Sequence, residues 1–103
     1  MRRHVGVARM QDDMFNIASR VQDERSFLEF LQALATDRHD EVKQEKVKPT
    51  PAWGPGAKGW ENRTIEAFLD AATAWGNATA GRNPSGNAWQ RCAQILSAGK
   101  FYE

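Results

Sequence analysis

The chain has 103 residues, of which 41% are hydrophobic and 26% charged, and its formal net charge is +1. A chain of this length can bury one modest core, which excludes a second domain and a large enclosed cofactor cavity. We therefore predict a single domain over residues 1–103, with no cofactor and with the composition of an ordinary globular protein.

Charge and hydropathy also disfavour two classes of partner, membranes and nucleic acids. Apolar runs are far shorter than the roughly 20 residues that cross a bilayer, so no membrane span is predicted. Acidic and basic residues are balanced in both halves of the chain, whereas nucleic-acid binding calls for a basic surface. The only basic cluster is Arg2, Arg3 and Arg9, and we interpret residues 1–11 as a flexible, solvated N-terminal arm.

The N-terminus and the cysteine usage favour a cytoplasmic location. The first nine residues have too few apolar positions for a secretory signal. Cys92 is the single cysteine and cannot form an internal disulfide, which is typical of a reducing compartment. His4 and His39 lack the spacing and the neighbouring ligands of a metal site, so no metal is expected.

Apolar spacing of three and four residues predicts two helices in the first half of the chain. A short helix follows Asp12 and Asp13, and a longer one begins at Asp23 and runs to about Thr36. Their apolar residues are Met14, Phe15, Ile17, Ala18 and Val21, and Phe27, Leu28, Phe30, Leu31, Leu34 and Ala35. Residues 37–48 are rich in charge, so we predict a solvated helical extension that contributes little to the core and ends before Pro49.

A long Gly/Pro-rich loop over residues 49–60 precedes two further predicted helices. Asn62 is the predicted N-cap of the first, and Asn87 that of the second. Their apolar stripes are Ile65, Phe68, Leu69, Ala72 and Trp75, and Trp89, Cys92, Ala93 and Leu96. The predicted fold is all-α, a small irregular bundle of three principal helices plus a short N-terminal helix.

Residues 54–59 match the pattern G-x-G-x-x-G of dinucleotide-binding loops. That loop follows a parallel strand, which the prolines in residues 48–51 do not allow. We therefore interpret the segment as a turn that brings Trp53 and Trp60 onto the helical core.

Residues from about Val21 to Glu103 resemble a small bacterial family of uncharacterised domains. The resemblance is carried by residues 26–31, by the block Trp-Glu-Asn-Arg-Thr-Ile-Glu-Ala-Phe-Leu at residues 60–69 with Trp75, and by residues 89–103 with their terminal Tyr-Glu. The middle block is the most specific, while the Gly/Pro-rich loop and residues 2–9 depart from the family pattern. The resemblance implies the three-helix fold and implies no activity.

Two functions remain open, both centred on residues 49–66. One is a non-enzymatic interaction or regulatory protein that binds a protein partner through Trp53, the loop and the helix start at Glu61, because exposed tryptophans are typical of binding hot spots. The alternative is a small-ligand-binding protein or enzyme with a shallow cleft, although Glu61 and Glu66 are poorly spaced for shared catalysis. No catalytic residue is predicted, and the candidate binding residues are Trp53, Trp60, Glu61, Asn62 and Glu66. The ten aromatic residues on so short a chain are compatible with a homodimer.

Overall fold

Four helices make up the regular structure of the residues that the computed structural model describes, which are 13–51, 56, 58–82 and 87–102. Residues 13–19 form α1. The other helices are α2 (Glu24–Val47), α3 (Ile65–Ala78) and α4 (Ala88–Phe101). The prediction of an all-α fold with three principal helices and a short N-terminal one is confirmed.

A polar side chain caps the N-terminus of each of the three long helices. Asp23 and Ser26 form a capping box at α2, and the hydrogen bonds from the Ser26 backbone and hydroxyl lower the pKa of the Asp23 carboxyl from its usual 3.8. Asn87 caps α4 by accepting from the Gln90 backbone, as predicted. The predicted cap at Asn62 is wrong, because Thr64 accepts the Ala67 N–H at the start of α3.

Helix α4 lies at the centre of the packing, with α3 antiparallel to it and α2 parallel to it. Phe68 of α3 packs on Gly99, while the Arg91 guanidinium donates to the Gly76 carbonyl at 2.9 Å near the other end of α3. On the α2 side, the rings of Phe27 and Trp89 lie 5.5 Å apart near the helix starts. The helices α2 and α3 thus form the two walls of a channel whose floor is α4.

Helix α1 fills one end of this channel. The Phe15 ring lies 6.2 Å from that of Trp75 in the C-terminal half of α3. The Ser19 carbonyl accepts a hydrogen bond from Gln90 of α4 at 2.6 Å. The core cluster therefore includes residues of α1, of α2 and α4, and of the segments between helices: Met14, Ala18, Val21, Phe30, Leu34, Trp60 and Ala93.

The buried faces of α3 and α4 differ from the predicted stripes. Ile65 is 78% exposed and Leu69 53%, whereas Ala71 and Ala72 are buried. Cys92 and Trp89 were expected in the core, but both lie on the exposed surface of α4. Helices α3 and α4 approach each other closely through their small residues. The faces that carry the larger side chains therefore point away from this contact.

Several predictions concern residues outside the described ranges. These are the N-terminal arm with its arginines, and Trp53 with the glycine and proline that follow it. Among the described helices, none has the length and apolar character needed to cross a membrane.

Candidate functional site

An open groove of about 390 Å³ lies between the N-terminal part of α3 and the middle of α2. It is the continuation of the channel that α1 fills at its other end. The walls and floor are mostly apolar, and Leu34 belongs both to the groove and to the core cluster that contains Met14. The lining residues are Leu31, Leu34, Ala35, Arg38, Trp60, Asn62, Arg63, Thr64, Ile65, Phe68 and Leu96.

Trp60 forms part of the floor and is held from several directions. Its indole Nε1–H donates to Asp37 Oδ2 at 2.8 Å, and its ring stacks on Phe68 with centroids 6.1 Å apart. The Arg38 guanidinium and the Lys100 ammonium lie 5.4 and 5.7 Å from the indole centroid. A tryptophan between two cations and a second aromatic ring is a rigid surface, because each contact restricts its rotamer.

Glu41 connects α2 to the loop before α3. This carboxylate is fully buried and accepts the backbone N–H groups of Lys58 at 2.9 Å and Trp60 at 3.1 Å. Arg38 donates to its other oxygen at 3.0 Å. Gly56 packs directly against the carboxyl group, and its N–H donates to the Trp60 carbonyl at 2.9 Å. A buried charge is tolerated here because its oxygens are satisfied by donors.

Asp37 and Lys100 tie the same loop to α4. Lys100 Nζ lies 2.7 Å from Asp37 Oδ2, and both side chains are largely buried. Asn62 completes the attachment by donating to the carbonyls of Gly99 and Tyr102 at the end of α4, both at 3.0 Å. The expectation that residues 37–48 contribute little to the core is therefore wrong, since Asp37 and Glu41 anchor the floor of the groove.

Two arginines lie at one end of the groove, and one of them is ion-paired within the fold, since Arg38 Nη1 lies 3.0 Å from Glu41 Oε2. Arg38 and Arg63 both line the groove, and the described lining residues include no carboxylate. Arg38 Nη2 donates to the Arg63 carbonyl at 3.0 Å, which keeps the two arginines side by side. The mostly apolar lining can therefore take an apolar group.

The predicted site residues are only partly brought together. Trp60 and Asn62 line the groove. Glu61 is half-buried beside it, with its N–H donating to the Lys100 carbonyl at 3.0 Å, and Glu66 lies on the exposed side of α3. Trp53 is outside the described residues.

Sequence reasoning missed the residues that build the groove walls. Its assignment of Leu31, Leu34 and Phe68 to apolar core stripes agrees with their packing, but spacing along one helix shows which face is apolar and not that part of this face lines an open groove. It also missed the anchoring role of Glu41. No local signal separates Glu41 from Glu45 in the same charged run, since they differ only in which distant residues they meet: Glu41 accepts from Lys58 and Trp60, and Glu45 from Thr50.

Comparison with curated proteins and with solved structures gave no significant match. A family model described as a family of unknown function, DUF7660, matches residues 23–103. These residues contain α2, α3, α4 and all the groove-lining residues, while α1 precedes them. The extent agrees with the resemblance seen from about Val21 to the end of the chain. The chain therefore belongs to the family of unknown function DUF7660.

Proposed function

We propose that this domain is a non-enzymatic protein-interaction module that receives a helical segment of a protein partner in the groove between α2 and α3. The observation that carries the proposal is the open apolar groove, which continues the channel occupied by α1. Apolar surface that a small domain leaves open marks a binding surface more often than scattered exposed residues do.

The shape of the channel favours a helical occupant. Helix α1 packs in it through Met14 and Ala18, which are four residues apart, and Val21 just after the helix is buried in the same cluster. Amphipathic helices bind grooves between helices through this same spacing of anchors. A partner helix placed beyond α1 would meet the same two walls.

The side chains of the groove support binding more than catalysis. Its described lining residues include neither a carboxylate nor an imidazole nor a thiol. Acid–base and nucleophilic catalysis need such groups within reach of the substrate. The alternative of a small ligand or an enzyme centred on Glu61, Asn62 and Glu66 has weaker support, because Asn62 alone of the three lines the groove.

The proposal is tested by selecting helical peptides against the full chain from a display library. We expect selected peptides to carry apolar residues at helical spacing and to lose at least about tenfold in affinity for Ala35→Arg. Ala35 is exposed and lines the groove, so the longer side chain blocks the groove without entering the core. The matched control is Ala80→Arg, at an exposed alanine after α3. Peptides that bind Ala35→Arg as well as they bind the wild type would refute the proposal.

A further inference from the structure

We propose that α1 is an exchangeable occupant of the channel, so that the helical segment of a protein partner binds the domain by taking the place of α1. This inference rests on the proposed function and adds its regulation, because α1 then competes with the partner from within the same chain. Four observations support it, concerning the apolar contacts of α1, its hydrogen bonds, the start of α2 and the extent of the family match.

The apolar contacts that hold α1 are ones that another helix can supply. Met14 and Ala18 are its buried residues, a large and a small apolar side chain four positions apart. Phe15 and Ile17 are partly buried, and the Phe15 ring meets that of Trp75. Apolar residues at this spacing form the packed face of amphipathic helices in general. The channel therefore selects a pattern of side chains, which α1 shares with many other helices.

The hydrogen bonds from α4 mostly reach main-chain atoms of this segment. Gln90 Nε2 donates to the Ser19 carbonyl at 2.6 Å, and Asn87 Nδ2 donates to the Val21 carbonyl at 3.1 Å. One further bond reaches a side chain, from Gln94 Nε2 to Ser19 Oγ at 3.3 Å. Because every polypeptide carries backbone carbonyls, the two carbonyl contacts are available to a partner helix of a different sequence.

The start of α2 does not depend on α1. Asp23 and Ser26 form the capping box of α2, which lies within its first turn. The Gln22 N–H donates to the same Ser26 hydroxyl at 2.8 Å. Helix α1 can therefore leave the channel without removing the cap of α2, and residues 20–22 between the two helices serve as the hinge.

The family match separates α1 from the channel that it fills. Residues 23–103 match the family model and contain α2, α3 and α4, which form the walls and the floor. The receiving site therefore lies within the family domain, whereas its occupant precedes that domain. This division is the one expected of a helix-binding domain with an additional helix of its own bound in the site.

The open groove gives a partner helix an advantage over α1. Leu34 lines the groove and belongs to the same core cluster as Met14, so the two parts of the channel are continuous. A partner helix that replaces α1 and also reaches the groove buries apolar surface that α1 leaves open. This gain offsets the advantage of the tether, which holds α1 at a local concentration of about 1 mM. Without a partner, α1 stays docked.

Thiol labelling of the full chain tests the exchange. Ala18→Cys in a Cys92→Ser background places a single thiol on the buried face of α1, since residue 18 has 0% exposure and Cys92 is the single cysteine of the chain. The probe is a synthetic peptide with the sequence of residues 13–23, added at about 1 mM to match the tethered helix. We expect the peptide to raise the labelling rate at residue 18 at least about tenfold, because a displaced α1 exposes the thiol.

Two controls separate exchange from unfolding and from unspecific binding. Ala93→Cys in the same Cys92→Ser background places the thiol at a fully buried position of α4, and its labelling rate should not rise with the peptide. A peptide with aspartate at the position of Met14 lacks the large anchor and should leave labelling at residue 18 unchanged. Circular dichroism checks that both variants keep the helical fold.

The unmodified chain provides a second measurement that no substitution can disturb. Hydrogen exchange of the isotope-labelled chain is followed by NMR with and without the unlabelled peptide. We expect the peptide to speed exchange at the amides of α1, residues 13–19, and to leave the amides of α4 slow.

The outcomes separate this inference from the proposed function. Library-selected peptides that lose affinity for Ala35→Arg, together with an α1 that every peptide leaves protected, overturn the inference and leave the proposed function intact. Equal acceleration of labelling at residues 18 and 93 indicates unfolding of the whole domain and also overturns the inference. If neither the α1 peptide nor any library-selected peptide binds the chain, both are overturned.

Discussion

At the scale of single residues, one buried carboxylate organises the loop that forms the floor of the groove. Glu41 reaches from α2 to two backbone N–H groups of residues 58 and 60 and is also bound by Arg38. Its carboxyl group occupies the space where a side chain at residue 56 would begin. Glycine is needed there because of this close approach, and not for its backbone freedom, since its φ is not among the positive values seen at Gly59 and Gly81.

We expect Gly56→Ala to lower the free energy of unfolding by about 2 kcal/mol or more, because the added methyl group displaces the Glu41 carboxylate from its donors. Urea denaturation measures the loss. In a Glu41→Ala background the same substitution should cost much less, since the clash is gone. Equal costs in the two backgrounds would contradict the assigned contact.

At the scale of elements, α3 and α4 approach closely because small residues lie between them. Gly99 packs on the Phe68 ring, and a Cβ at residue 99 would lie 2.7 Å from Phe68 Cε1. Gly76 also faces α4, but a Cβ there would lie 3.6 Å from Ile95 Cδ1, which is an ordinary contact. The two glycines therefore differ in what they tolerate, although both lie within helices.

This difference predicts opposite effects of the same substitution. Gly99→Ala should destabilise the domain by about 1–3 kcal/mol, because it forces α3 and Phe68 away from α4. Gly76→Ala should be neutral or stabilising by up to about 1 kcal/mol, because alanine has the better helix propensity. Thermal unfolding of the two variants beside the wild type provides the measurement, and a similar loss in both would argue against close packing at Gly99.

At the scale of the whole molecule, α1 completes the core of a domain whose family-matched residues begin after it. Met14, Ala18 and Val21 are buried in the same cluster as Phe30 and Trp60. The match to the family begins at residue 23. The described core therefore includes an element that the family match does not cover.

Met14→Ala should lower the free energy of unfolding by about 2–5 kcal/mol, a large part of the roughly 5–15 kcal/mol that stabilises a small domain. The exposed Asn16→Ala in the same helix is the control and should change stability by less than about 0.5 kcal/mol. Denaturation followed by tryptophan fluorescence and by circular dichroism should give one shared transition. A separate transition for α1 would show that the helix is not part of the cooperative unit.

Much of the secondary structure could be predicted from local signals. Asp23 and Asn87 begin helices because their side chains accept backbone N–H groups a few residues ahead, an interaction contained within one turn. The site was less predictable. Trp60 and Asn62 were among the candidate binding residues and both line the groove, and their binding role stays a prediction. The groove itself depends on the distance between α2 and α3 on α4, which no short segment encodes.

The sequence by itself determined that the chain forms an all-α bundle, because helix periodicity and caps act over neighbouring residues. Only the tertiary structure decided which apolar residues are covered. Ile65 and Leu69 have the same local pattern as a core stripe, yet the close packing of α3 on α4 at Gly99 turns them outward. Glu41 is in turn indistinguishable from its charged neighbours until the loop of residues 56–60 closes on it. Burial depends on contacts between distant segments, and those contacts define the groove.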